Sequence, residues 1–369
     1  MPFDFPQDYR ASRAAFVQAC RDRDARLEVH THPRIGSDGA PVATDVAAFG
    51  APDAERVLIV VSGTHGVEAL CGAGIQQALI ARRPGFAQAH VRVVLVHALN
   101  PHGFLDLHRT DEDNVDVNRN FLDHARATPD DSAYAEVHPF LVPDAWEGPA
   151  RIAADAALAQ YTATRGTGAL QAAVSGGQYS FADGLFYGGR APAWSNDTWR
   201  GILRAHAARA RHLAVIDLHS GLGARGACEL ISGAAQGSEE HRLAQQYFGE
   251  EIVFPGATST APAAVGYMGT SIADTLPDVQ GALVVAEFGT LPFAEVFAAL
   301  RIDNWFRCRS SLHPEKARAI RVQMECAFVG RDCGWQTDVV ERAFDVFDRA
   351  MTGLSEAGEE RAASTGILQ

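Results

Sequence analysis

The 369-residue chain lacks most of the features that would place it by composition alone. It has no apolar run near the roughly 18 residues that a bilayer-spanning helix needs, so no membrane span is expected. No basic stretch followed by an apolar one stands at its N-terminus, so no signal peptide is expected either. Six cysteines, at positions 20, 71, 228, 308, 326 and 333, form no CxxC pair and no tight cluster. That spacing speaks against a cysteine-ligated zinc site and fits reduced thiols in a cytoplasmic protein. Basic residues are outnumbered, 32 Lys and Arg against 45 Asp and Glu, giving a formal net charge of −13. Nucleic acid and anionic membrane surfaces are therefore not expected as partners. No GxSxG elbow is present, which removes support for a serine hydrolase of the α/β type. The glycine-rich stretch 166–189 has neither the lysine nor the spacing of a phosphate loop. Internal repeats are absent.

What remains is an ordinary globular composition, 47% apolar and 21% charged, able to bury a large core. It reads as one α/β domain over residues 1–369, with an insertion at 128–200 and a helical C-terminal region at 292–360. Periodicity predicts a helix over 8–26, then strands over 27–31 and 42–49 about a turn at 36–39. A strand over 57–61, a helix over 69–82 and a strand over 91–99 follow. Residues 100–123 are too polar and turn-rich for a single element and form a candidate functional loop. In the insertion, a helix near 149–164 precedes the Gly- and Ser-rich segment 166–189. A helix over 199–210 leads into a strand over 213–218. Strands at 228–231 and 251–254 flank a helix at 238–248, and a strand over 283–286 ends at Glu287. Helices at 292–305, 313–328 and 336–356 precede a polar, frayed tail. The alternation predicts a mostly parallel sheet with helices on both faces.

Chemistry-bearing residues sit at the ends of the apolar strands. His65-Gly-Val-Glu68 follows the run Val57–Val61, at the carboxyl end of a buried strand, where open α/β sheets bind ligands. A His and a Glu three residues apart can share a metal if a third ligand arrives from elsewhere. The strand 213–218 stops at His219-Ser-Gly221. If the strands are neighbours, His65, Glu68 and His219 form the three-protein-ligand set of a catalytic zinc, one per chain, with the fourth position left to water. Glu287 is then the carboxylate that takes a proton from that water and passes it to a leaving amine. Arg109, Asn118 and Arg119 in the middle loop suit a substrate carboxylate or a developing oxyanion. Tyr267 adds a phenolic hydroxyl that moves over the bound substrate.

Each of these residues has a plainer reading beside it. Asp217, two residues before His219, is either a group that orients that ligand or a cap, and Ser220 is read the same way. His97 is read as a hydrogen-bonded core residue, and Cys71 as packing. His102 and His108 lie near enough to the loop to be weighed as substrate contacts. The pair Asp111-Glu112 is read as solvated charge.

The order of these motifs resembles the zinc carboxypeptidase superfamily. HxxE is followed by Asn100-Pro-His-Gly103, an arginine, Asp116-Val-Asn-Arg-Asn-Phe121, Asp217-Leu-His-Ser-Gly221, a tyrosine and a strand-end glutamate. Residues from about 40 to 300 are covered, and the likeness is greatest to a bacterial branch of metallopeptidase-like proteins. The resemblance implies a mixed eight-stranded sheet flanked by helices and zinc on His65, Glu68 and His219. It also implies Glu287 as general base and Arg109 as the group polarising the scissile carbonyl. Asn118 and Arg119 match the pair that holds the terminal carboxylate, Tyr267 the mobile tyrosine, and Ile272 the segment lining the side-chain pocket. The activity implied is that of a zinc metallopeptidase, a carboxypeptidase-like protease cutting an amide bond beside a free carboxylate in short peptides. The related aspartoacylase and succinylglutamate desuccinylase branch cleaves small N-acyl amino acids and usually reads HGNE where this chain has Val67. A deacylase is therefore the second reading, and a metal-free binding protein on the same fold the third. The stretch between Phe121 and His219 is longer than in digestive carboxypeptidases, which makes 128–200 a candidate cover for the cleft.

Overall fold

The computed structural model describes residues 5–82, 90–126, 129–255, 259, 261, 263–309 and 313–357. Asp8 opens helix α1 (Tyr9–Arg21), its carboxylate accepting the Ala11 amide. The helix ends short of the predicted residue 26 because Asp24, at φ +53, turns the chain into strand β1 (Arg26–Ile35). Then come β2 (Pro41–Phe49), β3 (Arg56–Ser62), α2 (Ala69–Arg82), β4 (Val91–His97) and α3 (Pro101–Asp106). Past a 3-10 turn at Val117–Arg119 lie α4 (Ser132–Leu141), α5 (Pro149–Arg165), α6 (Thr167–Ser175) and α7 (Trp194–Ala207). The chain continues through β5 (His212–Gly221), β6 (Cys228–Ile231), α8 (Glu239–Phe248), β7 (Ile252–Val253), α9 (Thr270–Thr275) and β8 (Gln280–Gly289). Helices α10 (Phe293–Arg307), α11 (Ala317–Phe328) and α12 (Cys333–Glu356) complete it.

The strands form one eight-stranded sheet in the order β1-β2-β4-β3-β5-β8-β6-β7. Its centre, β4, β3, β5 and β8, is parallel, while β2 runs antiparallel to β1 and β4, β6 runs antiparallel to β8, and β7 pairs parallel with β6. This is the mixed, mostly parallel sheet that the motif order implied. Strand β3 shows why its sequence reads as a continuous apolar run. Leu58 and Val60 join the core under α1, α2 and α12, whereas Val57, Ile59 and Val61 join the one under α7 and α9. A strand covered on both faces has no polar side to alternate with. Among the described residues no helix is long and apolar enough to cross a membrane.

The structure departs from the sequence reading in several places. The loop 100–123 contains α3, started by Asn100, whose side chain accepts the Gly103 amide at 2.9 Å with Pro101 in the first turn. The insertion holds α4 and α6 besides the expected helix. Pro139 and Gly168 mask their periodicity, but Tyr134, Val137, Leu141, Leu170 and Val174 are buried in the main core. Tertiary packing overrides local propensity there. Strands β5 and β8 run past their predicted ends and include His219 and Glu287. The polar tail beyond residue 357, the first four residues and Thr128 lie outside the described residues.

His97, at the end of β4, is buried as expected, with Nε2 2.9 Å from Ser12 Oγ and its ring stacked on Phe16 at 4.7 Å. Burial, reinforced by the Arg13 guanidinium, pushes its pKa down to about 3. An unfolded histidine titrates near 6.5, so stability tied to neutral His97 is complete above that pH and is lost as pH falls from there through about 3. His97→Gln is accordingly expected to flatten the fall of Tm between about pH 6.5 and 4. Melting curves across that window check it, and an acid limb as steep as the parent's refutes it.

Candidate active site

The His65–Glu68 loop is fixed by backbone packing. A Cβ on Gly66 would fall 1.9 Å from the Gly103 carbonyl carbon and 2.3 Å from the Phe104 nitrogen, so only glycine lets the loop lie on the start of α3. The amides of Gly66 and Val67 donate to the carbonyls of Arg109 and His108, at 3.2 and 2.9 Å. These bonds stitch the loop to the segment that carries Arg109.

Three side chains converge where β3 and β5 end. His65 Nδ1 lies 2.9 Å from Glu68 Oε1, and His219 Nδ1 lies 3.0 Å from Glu68 Oε2. Their donor atoms all fall within 4.8 Å of one another, and all three residues are buried. The far nitrogens are held from behind, His65 Nε2 at 3.1 Å from Asp116 Oδ1 and His219 Nε2 at 2.7 Å from Asp217 Oδ2. Asp217 also accepts the Thr64 hydroxyl at 2.7 Å, and Asp116 accepts the Arg109 Nε at 2.9 Å and the Asn118 amide at 3.0 Å. Two imidazoles presenting Nδ1 inward, each oriented by a carboxylate, together with a third carboxylate, make a donor set that suits zinc. Asp116 has no role assigned from sequence. Its partner His65 lies 51 positions earlier, and only the fold brings the two together.

Charge in this cluster is tightly paired. Burial alone would raise Glu68, but the facing His65 and His219 hold it well below the usual carboxylate range. Asp116 is likewise kept low against its own burial by Arg109 and His65. His219, whose burial would lower it, is raised well above the ordinary histidine value by Asp217 and Glu68. Glu287 goes the other way. Burial, and then the charge of Glu68, push it up to about 8, while its Oε1 accepts the Leu222 amide at 2.9 Å. Glu287 sits beside His219 because the two are register partners on the parallel strands β5 and β8.

A cavity of about 670 Å³ opens over the cluster and is lined by all eight residues singled out from the sequence. Arg109 donates to Glu68 at 3.1 Å as well as to Asp116, with its Cζ 4.9 Å above the Phe186 ring. Asn118 accepts the Met268 amide through Oδ1 at 2.9 Å. Arg119 donates to the Ser175 carbonyl from Nε and Nη2, at 3.0 and 2.8 Å, and to its neighbour's carbonyl from Nη1. Tyr267 donates its hydroxyl to the Leu283 carbonyl at 3.2 Å. Leu283 lies four residues before Glu287 on β8, about 13 Å of strand away.

The insertion supplies Ser175 and Phe186 to the lining, so it walls the cleft in part. Phe186 has φ +53, a left-handed conformation that its surroundings must hold in place. Ile272 is not in the lining. It packs inside the core beneath α9, against Gly281 of β8. His108 turns to Asp303, at 2.6 Å, and His102 to His32, at 3.2 Å; neither lines the cavity. The Ser220 hydroxyl donates to the Phe328 carbonyl, and it is the Ser220 amide that reaches Glu68. Asp111 is buried rather than solvated, because its carboxylate closes a turn by accepting the Asp113 and Val115 amides at 2.9 Å. Glu112 lies 2.9 Å from His32 Nε2.

His32, His102 and Glu112 are a second group whose donor atoms lie within 4.8 Å of one another. There the Arg34 amide donates to His32 Nδ1 at 3.0 Å, so the lone pair of that nitrogen is already engaged.

An α/β fold with a mixed eight-stranded sheet and a buried His–Glu–His cluster at its carboxyl edge defines the class of this protein. The chain belongs to the family described as Protein of unknown function (DUF2817), whose model matches residues 5–342. No curated protein matches it in sequence. Among solved structures it is similar to carboxypeptidase A from Helicoverpa armigera, at 13% identity and a TM-score of 0.49, over 89% of this chain and 75% of that one. It is also similar to a metallo-carboxypeptidase from Burkholderia cenocepacia, at 13% identity and 0.40, over 82% and 69%. An aspartoacylase family protein from Mesorhizobium loti is similar at 14% and 0.36, over 77% and 66%. At these values the likeness carries neither substrate nor mechanism across.

Proposed function

We propose that the chain is a zinc-dependent hydrolase that cleaves an amide bond beside a free carboxylate, with carboxypeptidase-like action on short peptides as the first reading. One observation supports it above the others. Three buried donor atoms of His65, Glu68 and His219 lie within 4.8 Å, and a fourth ionisable group, Glu287, is registered alongside His219. His65, Glu68 and His219 would hold one zinc ion per chain, which when bound supplies a Lewis acid and an acidified water. Glu287 is the base. Registered beside His219 and held by the Leu222 amide, it is placed to accept the proton of the attacking water and to return it to the departing nitrogen. Arg109, fixed by Glu68 and Asp116, offers its remaining N–H groups to the developing oxyanion. Asn118 and Arg119 bind the substrate carboxylate, and Tyr267 contacts the bound substrate. In this reading the whole chain is one cytoplasmic catalytic domain and 128–200 is an insertion into it.

The size of the cavity, about 670 Å³ with the insertion on one side, fits a substrate of small-molecule dimensions. That favours an N-acyl amino acid deacylase as the second reading. Zinc-loaded protein is to be incubated with dipeptides and with N-acetyl and N-succinyl amino acids, and free amino acid followed by chromatography. Release from dipeptides is the expected result. Release from the acylated set alone would sink the peptidase assignment, and release from neither would sink hydrolysis altogether.

A further inference from the structure

Among the described lining residues the Asp, Glu, Lys and Arg side chains are Glu68, Arg109, Arg119 and Glu287, and the proposed reaction engages all four, as it does His65 and His219. Nothing charged is left to meet a second carboxylate or an α-ammonium group on the substrate. Part of the wall is strongly apolar. Phe293, Val296, Phe297 and Leu300 follow the i, i+3, i+4, i+7 spacing and present one face of α10 to the cavity. Phe293 and Phe297 are half-exposed and stacked, with centroids 5.6 Å apart and planes at 6°. This wall flanks the reacting groups. Leu300 shares a small recess with Arg109 and Phe186, and a Cβ on Gly221 would meet Phe328 at 3.0 Å and Glu287 Oε1 at 3.6 Å. A half-exposed aromatic pair that opens onto a cavity is where an apolar ligand group gains most from leaving water.

The geometry points to a substrate whose group on the acyl side of the scissile amide is uncharged and apolar, an aliphatic or aromatic chain seated on α10 and Phe328. This rests on the proposed hydrolysis for its orientation, since Asn118 and Arg119 set the carboxylate end. N-acyl amino acids and N-blocked peptides share this chemistry. Dipeptides with a free ammonium and N-succinyl amino acids carry a charge on that side and should bind more weakly.

The test is calorimetric binding to the zinc-loaded Glu287→Gln protein of N-octanoyl-, N-acetyl- and N-succinyl-L-phenylalanine, Leu-Phe and N-acetyl-Leu-Phe. The octanoyl compound is expected to bind at least about tenfold tighter than the acetyl and succinyl ones, and N-acetyl-Leu-Phe tighter than Leu-Phe. The two arms separate an acyl chain from a blocked peptide as the source of the apolar group. Phe293→Ser and Phe297→Ser, both at half-exposed positions, should each compress the octanoyl-to-acetyl ratio towards one. Equal or inverted affinities, or no binding of any compound, overturn the inference. Turnover of the same panel by the parent protein keeps the two ideas apart. No hydrolysis with the binding order intact removes the hydrolase reading only, and hydrolysis with a flat order removes this inference only.

Discussion

Glu287→Gln is expected to lower kcat by about 10²- to 10⁴-fold, the range for loss of a positioned general base, with zinc stoichiometry unchanged. Glutamine keeps the shape of the side chain and an oxygen to accept the Leu222 amide, so the cavity should survive the change. What it cannot do is cycle a proton. Steady-state kinetics on whichever amide substrate the parent turns over is the measurement, and a loss smaller than about tenfold removes Glu287 from the role of base. Stability in metal-free protein gives a second, opposite-signed readout. Burial and Glu68 raise the folded pKa of Glu287 to about 8, above the ordinary glutamate value of 4.5. Stability associated with the protonated group is therefore full below pH 4.5 and lost as pH rises through 8. The variant, which has no such group, should gain Tm relative to the parent across that window and hold its advantage above it. An active-site residue whose removal stabilises the stripped protein while abolishing turnover is doing chemistry rather than packing.

Zinc should bind at one equivalent per chain and raise the stability of chelator-stripped protein on the order of 4 kcal/mol at a thousandfold excess over Kd. The arrangement explains why the effect should be large. Without an ion, Glu68 is the shared partner of His65, His219 and Arg109, a buried network whose charges depend on one carboxylate. His65→Ala should abolish stoichiometric binding. Asp116→Asn leaves every ligand in place but weakens the grip on His65 Nε2 and should cost about 10- to 100-fold in zinc affinity. Metal analysis and competition against a chromophoric chelator check all three. Less than half an equivalent in the parent, with no gain on adding zinc, favours a metal-free binding protein instead.

Much of this site is legible in the sequence for a physical reason. The runs 57–61, 213–218 and 283–286 are apolar on both faces, and such strands can only be central ones. A polar residue at their ends must then lie at the sheet's carboxyl edge. His65, Glu68, His219 and Glu287 follow from that argument. What escapes it depends on contacts between distant segments. Asp116 behind His65, Phe186 beneath both arginines and Ser175 against Arg119 have no local signature. Glu112 looks like solvent charge because nothing nearby in sequence reveals the His32 that faces it, whereas the Asp113 and Val115 amides that Asp111 accepts are local and give it an overlooked turn signal. Helices α4 and α6 are hidden by Pro139 and Gly168, and their burial comes from the core they pack on. Ile272 is misread because the short helix α9 turns it towards the sheet, a matter of rotation that motif spacing does not encode.

The pairing of His219 with Glu287 across β5 and β8 has a further meaning. Side chains alternate along a strand, so sliding one strand by a single residue would send Glu287 to the layer under α2 and α12 while His219 stayed on the side of α7 and α9. The spacing between ligand and base is thus kept by the two strands' hydrogen-bond ladder and by no loop, hinge or lid. Such a centre is as rigid as the middle of the sheet. Evolution can reshape the surrounding cleft, through the insertion and α10, without disturbing that spacing.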